Sequence, residues 1–418
     1  MLEVVESFSG IGSQVKALKN RKIEHKIVAT IDWDINAIIA YDIINNGKPE
    51  LNEYSLLEKD ELIDILKEYV LSSNGKEAMP LENLRKMKKI ELEHLVGAIK
   101  RTNNLTSITS VKGEDLPLNI DLFTYSFPCQ DLSIAGTWHG NNSGIDRKLK
   151  NRSGMLWEVE RILIERRNKN FPLPKFLLME NVSNILSNKH KNNFQEWKDN
   201  LEKLGYINYV YSLNAKDFGI PQKRIRTYML SVKCDDEKIK NQVEDYIENN
   251  DLRKEEFREK LEIKTKTLKD ILKIDYEANN LYKEEANRIQ PNETPSRIKI
   301  YEENDKIFDG KKILIDTIAT ITTKQDRNPN SGVIDYDSGR LGKSKFRYLT
   351  PRECFMLMGF DEEDFQILID NNFTVGKNRK FFTDSKLYKL VGNSIVVNVL
   401  EQIFMQVDYI NRNILKNK

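Results

Sequence analysis

Residues 121–130, DLFTYSFPCQ, decide the fold class of this chain. The apolar first part is long enough for a buried strand, and Pro128 ends it because proline disfavours regular backbone before it. The next residue is Cys129. In open α/β sheets the chemistry lies just beyond the carboxyl ends of the strands, so Cys129 stands where a nucleophile is useful. From these ten residues alone, a small buried cysteine at a strand end is an equally good interpretation.

Length and composition describe a globular chain of two or three domains. It has 418 residues, of which 39% are hydrophobic and 31% charged, with a net charge of +2. Three widely spaced cysteines argue against a disulfide framework and against a zinc site, and they fit a reducing cytoplasm. No apolar segment approaches the roughly 20 residues of a membrane span, and the first residues read as a strand rather than a signal peptide.

The first fifty residues predict a nucleotide-binding unit. A strand over residues 2–8 leads through the turn FSGIG, residues 8–12, into a helix from Gln14 to about Asn20. A second strand over residues 27–31 ends at Asp32, whose carboxylate can accept both hydroxyls of a ribose. Asp32 is also a candidate N-cap for a helix over residues 34–45. Without a third glycine, the turn suits an adenosine cofactor better than a dinucleotide.

The stretch before the central strand is predicted to be an insertion followed by a short strand. Residues 46–104 are charged, with leucine and isoleucine at helical spacing, which predicts helices with solvated faces. Residues 106–111, TSITSV, are predicted to form a short strand that leads into residues 121–127.

Polar groups follow two further strands. A buried strand over residues 176–179 ends at Glu180, in the same relative position as Cys129, so the two form a nucleophile-and-acid pair. In QKRIR, residues 222–226, Arg224 and Arg226 are predicted to lie on one face of a strand, where two guanidinium groups suit anion or base-edge contacts.

The composition changes after Cys234. Residues 235–312 are strongly charged, and residues 313–345 form a polar, basic segment with the composition to read base edges in a groove. Regularity returns with a helix that begins at Thr350 and Pro351, and the chain closes with an apolar helix to about residue 411.

Together these motifs resemble the bacterial cytosine-5 DNA methyltransferases over nearly the whole chain. The ordered set is Phe8-x-Gly10-x-Gly12, Asp32-Trp33, Pro128-Cys129-Gln130, Glu180-Asn181-Val182, Gln222-x-Arg224-x-Arg226, Arg347-x-Leu349-Thr350-Pro351-Arg352-Glu353 and Gly392-Asn393-Ser394. An ordered set of this length is highly specific.

The resemblance implies an α/β fold: a Rossmann-like class I methyltransferase core that binds S-adenosylmethionine, with a smaller, variable target-recognition domain. The expected boundaries are a catalytic domain over residues 1–232, a target-recognition domain over residues 233–345, and a segment over residues 346–418 that completes the catalytic domain. The expected product of the cofactor is S-adenosylhomocysteine, and no metal is expected.

The resemblance also assigns residues to roles. The catalytic set is Cys129, Glu180, Arg224 and Arg226. The cofactor set is Phe8, Gly10, Gly12, Asp32, Trp33, Ser107, Ile108, Pro128, Asn393 and Ser394. The expected DNA-contacting residues are Gln130, Asn181, Gln222 and Thr320. The loop over residues 130–152 is expected to close over the flipped base, and its cations Arg147, Lys148 and Arg152 suit phosphate contacts, although a solvated face explains them equally well.

One departure from the family pattern weakens a residue assignment. Many members have an acidic residue before an isoleucine in the third cofactor strand, where this chain has Ser107-Ile108. The expected partner is duplex DNA, the expected state is a monomer in the bacterial cytoplasm, and a restriction endonuclease encoded nearby would fit. Three alternatives stay open: an RNA cytosine-5 methyltransferase acting on transfer RNA, an inactive nucleic-acid-binding relative, and a nicotinamide oxidoreductase, which would explain only the first fifty residues.

Overall fold

The computed structural model describes residues 1–128, 145 and 152–415. They form two compact units. The first contains residues Met1–Leu213, Ile225–Leu261 and Leu400–Lys418, and the second contains Asn214–Arg224 and Glu262–Val399.

The strands and helices have the following bounds. The strands are β1 Leu2–Ser7, β2 His25–Ile31, β3 Leu122–Tyr125, β4 Phe176–Val182, β5 Tyr206–Asn214, β6 Gln222–Lys223, β7 Ile225–Lys233, β8 Lys306–Phe308, β9 Ile318–Ala319, β10 Val333–Asp335, β11 Phe346–Arg347, β12 Thr374–Gly376 and β13 Arg379–Lys380. The helices are α1 Ser13–Asn20, α2 Ile35–Asn46, α3 Asn52–Ser55, α4 Lys59–Leu66, α5 Leu81–Lys86, α6 Lys89–Arg101, α7 Leu156–Asn168, α8 Lys191–Lys203, α9 Glu237–Asn249, α10 Glu255–Arg258, α11 Leu268–Ile271, α12 Asn280–Ile289, α13 Pro295–Glu303, α14 Pro351–Met356, α15 Glu362–Asp370, α16 Asp384–Gly392 and α17 Val397–Ile410.

A six-stranded sheet in the order β2-β1-β3-β4-β7-β5 organises the first unit. The strands from β2 to β4 pair in parallel, and β7 pairs antiparallel with β4. The chain places β2 on one side of β1 and β3 on the other, so the strand order reverses there. In open α/β sheets the crevice outside the carboxyl ends of the strands at such a reversal is where ligands bind.

Apolar side chains explain why the central strands form. All four residues of β3 are buried, and one face of the sheet contributes Val5, Phe123, Leu177 and Met229 to a single apolar cluster. The branched and aromatic residues of these strands favour extended backbone. The apolar runs over residues 2–8, 121–127 and 176–179 predict strands, and β1, β3 and β4 form within or around these ranges. The carboxyl edge of the sheet lies where the polar motifs begin.

The expected strand over residues 106–111 is wrong, because these residues form turns. Thr106 has a φ of 61°, and Asn103 has a φ of 45°, so the backbone enters the left-handed region twice. Asn104 is joined to Thr30 of β2 by one isolated bridge, and its side chain accepts the Thr106 backbone N–H at 2.7 Å. The threonine and isoleucine that predicted a strand are buried because the turn packs on the core.

The insertion over residues 46–104 is helical, as its periodicity predicted, and contains α3 to α6. Helix α6 packs against α2, and Arg101 on α6 forms a bidentate ion pair with the buried Asp42 on α2 at 2.6 and 2.7 Å. This pair fixes the insertion to the first unit.

The second unit contains three small sheets and a buried ionic network. Arg347 donates to both carboxylate oxygens of Glu353 at 2.8 Å, and neither side chain is exposed. Arg352 similarly pairs with Glu285 of α12 at 2.9 Å. The Arg352–Glu285 pair joins α14 to α12, and the Lys273 N–H donates to Glu353 at 2.8 Å, so α14 packs with residues 273–289 inside the second unit.

The first unit likewise extends past residue 232. The rings of Tyr246 on α9 and Tyr409 on α17 stack with centroids 4.3 Å apart. Gln406 donates to the Asn250 carbonyl oxygen at 2.6 Å. Residues 233–261 therefore pack within the first unit, and only residues 400–418 return to it from the C-terminal part of the chain.

Among the residues that the structure describes, one helical stretch, Asp384–Leu415, has the length and hydropathy to cross a membrane, and 78% of its apolar window is buried inside the protein. Burial of this degree is typical of the core helices of globular proteins.

Candidate active site

The turn after β1 is built to bring backbone close to a ligand. Phe8, Gly10 and Gly12 all have positive φ values, of 55°, 56° and 85°. A non-glycine residue in this region is uncommon, so Phe8 is held there by its neighbours: its N–H donates to the Ile31 carbonyl at 2.6 Å, and its carbonyl accepts from the Ser126 hydroxyl at 3.3 Å. The turn therefore joins the ends of β1, β2 and β3.

The two glycines of the turn serve different needs. A Cβ at Gly12 would lie 2.2 Å from Nδ2 of Asn45, so this glycine allows the turn to pack on α2. A Cβ at Gly10 would meet no atom within 4 Å. Gly10 therefore leaves its backbone open on the side away from the protein, which is the property a nucleotide-binding turn requires.

Asp32 organises this turn directly. One carboxylate oxygen accepts the Gly10 N–H at 2.9 Å, and the other accepts the Asp34 N–H at 3.0 Å. The N-cap of α2 is Asp34, whose side chain accepts the Asn36 N–H at 3.0 Å, so the alternative role of Asp32 as the cap is wrong. Asp32 is thus two residues before the N-cap of α2 and beside the glycine turn, where a carboxylate can meet a ribose.

The other predicted cofactor residues of the first unit have unequal exposure. Ile108 is 3% exposed and belongs to the apolar core, and Ser107 is 5% exposed with its hydroxyl on Thr109 at 2.8 Å. Trp33 is partly buried next to Asp32, and its carbonyl accepts the Ser72 N–H at 2.7 Å. Ser107 and Ile108 are therefore placed by packing, and their role toward a cofactor stays a prediction.

Glu180 and Arg226 form the polar pair at the end of β4. Their side chains are only 12% and 17% exposed, and Arg226 Nε lies 3.5 Å from Oε1 of Glu180. The antiparallel register of β4 and β7 pairs Glu180 with Tyr228 and Val182 with Arg226, so the two charged residues are diagonal neighbours on one face. A carboxylate and a guanidinium held this way can meet the polar edge of a planar ligand from two directions.

Asn181 fixes the backbone that leads to the cysteine. Its side chain is buried and donates to the Phe127 carbonyl at 3.0 Å, while its oxygen accepts the Val182 N–H at 2.9 Å. The amide therefore ties β4 to the residue before Pro128, and its expected contact with DNA stays a prediction. Sequence reasoning missed this role, although an asparagine next to a strand-end carboxylate is a signal for it.

Several predicted site residues lie outside the described part of the chain. These are Cys129, Gln130, Arg147 and Lys148, together with the side chain of Arg152. Pro128 is described and partly buried at the end of the β3 segment.

Arg224 differs from the expectation that it shares a strand face with Arg226. It lies between β6 and β7, is 4% exposed, and belongs to the second unit, whereas Arg226 belongs to the first. Its guanidinium donates to the carbonyl oxygens of Ile321 at 3.0 Å and Ser394 at 2.9 Å. The guanidinium of Arg224 thus holds backbone of the second unit. Its expected catalytic role stays a prediction.

Gln222 is also a structural residue rather than an exposed one. Its side chain is fully buried, its Nε2 donates to the Leu357 carbonyl at 2.8 Å, and its oxygen accepts the Ile321 N–H at 3.0 Å. The amide of Gln222 is thus enclosed and bonded at both ends, and its expected contact with DNA stays a prediction. Thr320 is partly exposed, with its hydroxyl on the Lys223 carbonyl at 2.7 Å.

Asn393 and Ser394 follow helix α16 in the second unit. Asn393 is exposed, and the Ser394 hydroxyl donates to the Leu390 carbonyl at 3.0 Å. Gly392 is required here because an added Cβ would lie 2.6 Å from backbone atoms of Thr322 and Thr323. The expected cofactor role of Asn393 and Ser394 stays a prediction.

Glu6 is a buried acid of β1 that sequence reasoning missed. It is 0% exposed, and burial raises the pKa of its carboxyl to about 7, although Tyr41 and Lys19 beside it act in the opposite direction. Tyr41 lies near enough to lower the pKa of the Glu6 carboxyl, although no well-aligned hydrogen bond joins the two side chains. An acid within an apolar strand, two residues before the turn, is the only sequence signal for it.

In the described residues, no group of three or more histidine, cysteine, aspartate and glutamate side chains is arranged to hold a metal ion.

Comparison with known proteins identifies the family. The model of the C-5 cytosine-specific DNA methylases matches residues 93–408. The orphan methyltransferase M.SssI of Spiroplasma monobiae is 35% identical over 411 residues, which cover 96% of each chain. The type II methyltransferase M2.ScrFI of Lactococcus lactis subsp. cremoris is 33% identical, over 97% of this chain and 99% of the relative.

A solved structure agrees at the level of the fold. The Dnmt2 methyltransferase of S. pombe superposes with a TM-score of 0.57 at 18% identity, covering 97% of this chain and 98% of the other. The α/β core with its mainly parallel sheet is that of a class I methyltransferase, as the motifs predicted. The chain belongs to the C-5 cytosine-specific DNA methylases, and it is a DNA methyltransferase of a family that uses S-adenosylmethionine.

Proposed function

We propose that this enzyme methylates C5 of a cytosine flipped out of duplex DNA, and that it does so through a covalent bond between Cys129 and C6 of the base. The observation that carries the proposal is the half-buried Glu180–Arg226 pair at the carboxyl end of β4. The neighbouring strand β3 leads to Pro128 and Cys129, and Asn181 bonds the two strand ends together.

The chemistry of cytosine explains why a nucleophile is needed. C5 belongs to an electron-poor aromatic ring and attacks a methyl donor poorly. Addition of the Cys129 thiolate to C6 breaks the ring conjugation and gives C5 enamine character, so that C5 becomes nucleophilic. After methyl transfer the C5 proton leaves to a base, the C5–C6 double bond re-forms, and the thiolate departs. A water molecule is a suitable base for that step.

Glu180 and Arg226 can stabilise the negative charge that develops on the base. As the thiolate adds, electron density moves onto the ring nitrogen N3 and the O2 oxygen. A protonated Glu180 can donate to N3, and Arg226 can donate to O2, so both contacts strengthen as the adduct forms. The partial enclosure of both side chains, at 12% and 17% exposure, strengthens such contacts by limiting water.

The residues around the glycine turn fit S-adenosylmethionine. Asp32 offers a carboxylate for the ribose hydroxyls, Gly10 leaves its backbone open, and Phe8 is partly buried beside them for stacking on adenine. When bound, S-adenosylmethionine supplies an electrophilic methyl group and leaves as S-adenosylhomocysteine. Trp33, Ser107, Ile108, Pro128, Asn393 and Ser394 are further cofactor residues on the resemblance alone.

The substrate must be extrahelical because C5, C6 and N3 are inaccessible to these groups inside a stacked duplex. Flipping the base costs a few kcal/mol of unstacking and pairing. We assign duplex recognition to the second unit and include Thr320 as a DNA contact. We also propose that the enzyme acts as a monomer in the cytoplasm, and that a restriction endonuclease is encoded nearby.

A trapping experiment tests the covalent step. In duplex DNA that carries 5-fluorocytosine at the target, the adduct forms and accepts the methyl group, but fluorine cannot leave as a proton does, so the enzyme stays attached. We expect a species that survives denaturing electrophoresis and a DNA-linked peptide that contains Cys129.

Cys234→Ser is the matched control for Cys129→Ser. Burial, aided by Asp235, raises the pKa of the Cys234 thiol to about 11, so this thiol is a poor nucleophile. Cys234→Ser should trap the DNA like the wild type, whereas Cys129→Ser should not. Trapping by Cys129→Ser that equals the wild type would refute the assignment.

A further inference from the structure

A leucine in the second unit is held fully in solvent at the tip of a tight turn. Leu341 has a relative exposure of 105%, the highest of the exposed large apolar residues among those described. It is the second residue of a turn closed by a hydrogen bond of 3.3 Å from the Lys343 N–H to the Arg340 carbonyl. Gly342 follows with a φ of +74°, which a type II turn requires at that position.

The turn is braced from below by one buried glutamine. Gln290 is 3% exposed, and its Nε2 donates to the Ser344 carbonyl at 2.6 Å. Its oxygen accepts from the Ser338 hydroxyl at 2.6 Å and from Nη2 of Arg340 at 2.8 Å. A single side chain thus holds both arms of the turn.

The neighbouring strand segment fixes the turn from the side. The Glu293 N–H donates to the Gly342 carbonyl at 2.9 Å, and the Ser344 N–H donates to the Pro291 carbonyl at 3.0 Å. A mobile loop can fold a leucine back onto the protein, whereas this bracing keeps Leu341 exposed. Because the protein itself does not cover Leu341, we expect a binding partner to contact this side chain.

The surroundings of the leucine are cationic. Residues 337–345 contain three cations, Arg340, Lys343 and Lys345, against the single carboxylate of Asp337. Lys343 also lines a cleft of about 540 Å³ together with Arg288 and Arg297. The same cleft contains Asp326 and Asp384, and Asp384 pairs with Arg288 at 2.9 Å, so the cations exceed the carboxylates by one.

We propose that the turn over residues 340–343 is a DNA-contacting element, in which Leu341 enters a groove of the duplex and packs against base edges or a base step. The surrounding cations face the phosphates. Apolar side chains on basic elements are used in this way because the cations bind the backbone while the apolar group displaces water from the bases. The inference rests on the proposed action on duplex DNA and names the residue that makes the apolar contact.

Duplex DNA fits this surface better than a second protein chain. Specific protein interfaces bury about 800 Å² on each partner and have an apolar centre depleted of charge. Here one leucine stands between Arg340 and Lys343, with glycines at positions 339 and 342. Duplex DNA has charged phosphates outside and apolar base stacks inside, which matches an apolar side chain flanked by cations.

The test compares Leu341→Ala with Leu281→Ala, a control at an exposed leucine of the same unit. Affinity for a target-containing duplex is measured by fluorescence anisotropy at several salt concentrations, beside methyl transfer and thermal unfolding. Leu341→Ala should weaken binding about tenfold, as expected when the apolar contact of one leucine is lost, with an unchanged salt dependence. Leu281→Ala should bind like the wild type.

A charge variant separates the two parts of the element. Lys345→Gln removes an exposed cation, so the slope of log affinity against log salt should fall by about one while Leu341 remains in place. Wild-type affinity of Leu341→Ala for the duplex would overturn the inference, as would a loss of self-association without a loss of DNA binding. If the wild type methylates DNA and Leu341→Ala binds normally, only this inference fails; if the wild type neither binds nor methylates duplex DNA, the proposed function fails with it.

Discussion

Replacing Glu6 with glutamine should remove a loss of stability that the wild type suffers as the pH rises from about 4.5 to 7. Glu6 is completely buried in β1, and burial raises the pKa of its carboxyl from 4.5 to about 7. Each factor of ten in a proton affinity is worth 1.36 kcal/mol, so this increase corresponds to about 3 kcal/mol.

The sign follows from which state binds the proton more tightly. Below pH 4.5 the carboxyl of Glu6 is protonated in both states and burial carries no ionic penalty. Between pH 4.5 and about 7 the unfolded chain releases the proton while the folded protein retains it, so the free energy of unfolding falls as the pH rises. Above pH 7 both states are ionised, and the full loss of about 3 kcal/mol is present.

Urea denaturation at pH 5 and at pH 8 measures the effect. Glu6→Gln keeps the shape of the side chain but cannot ionise. Its stability should therefore change by about 2.5 kcal/mol less than that of the wild type between the two pH values, because a small part of the loss has already occurred at pH 5. Glu3→Gln, at a partly exposed position of the same strand, should follow the wild type. The reasoning is refuted if Glu6→Gln and the wild type lose the same stability over this range.

Three further changes have definite expected results. Gly12→Ala should raise the KM for S-adenosylmethionine and lower the melting temperature, because its Cβ would lie 2.2 Å from Asn45 Nδ2 and the φ of 85° is strained for alanine; an unchanged KM would contradict this. Glu353→Gln should destabilise the protein by about 3–5 kcal/mol in chemical denaturation, because it leaves the guanidinium of Arg347 buried without its counter-ion, and a loss below about 1 kcal/mol would contradict it. Glu180→Gln should lower kcat about a hundredfold or more with an unchanged melting temperature, and an unchanged kcat would remove Glu180 from the proton-donating role.

The central sheet and the glycine turn after β1 could be predicted because each depends on local sequence. The apolar runs form β1, β3 and β4. Gly10 and Gly12 have positive φ values, which glycine adopts more easily than any other residue. Asp32 was predicted from its position after β2, and its bond to Gly10 follows from that position.

The errors arose where tertiary contacts override local preference. Residues 106–111 have the composition of a strand, but Asn104 turns the chain through a side-chain bond to Thr106. The face of Arg224 could not be deduced from an alternating pattern because the strand is broken at that residue, and its carbonyl partners lie 97 and 170 positions away in the sequence. The division of the chain into two units depends on contacts of the same kind: the partner of Arg352 is Glu285, far from it in the chain.

The most direct test of the central claim is transfer of tritium from methyl-labelled S-adenosylmethionine to duplex DNA and, in parallel, to transfer RNA. The wild type and Cys234→Ser should label DNA but not RNA, and Cys129→Ser should label neither. Bisulfite sequencing of the labelled DNA should locate the methyl group on cytosine. Label that enters RNA alone, or DNA label that persists in Cys129→Ser, would contradict the account.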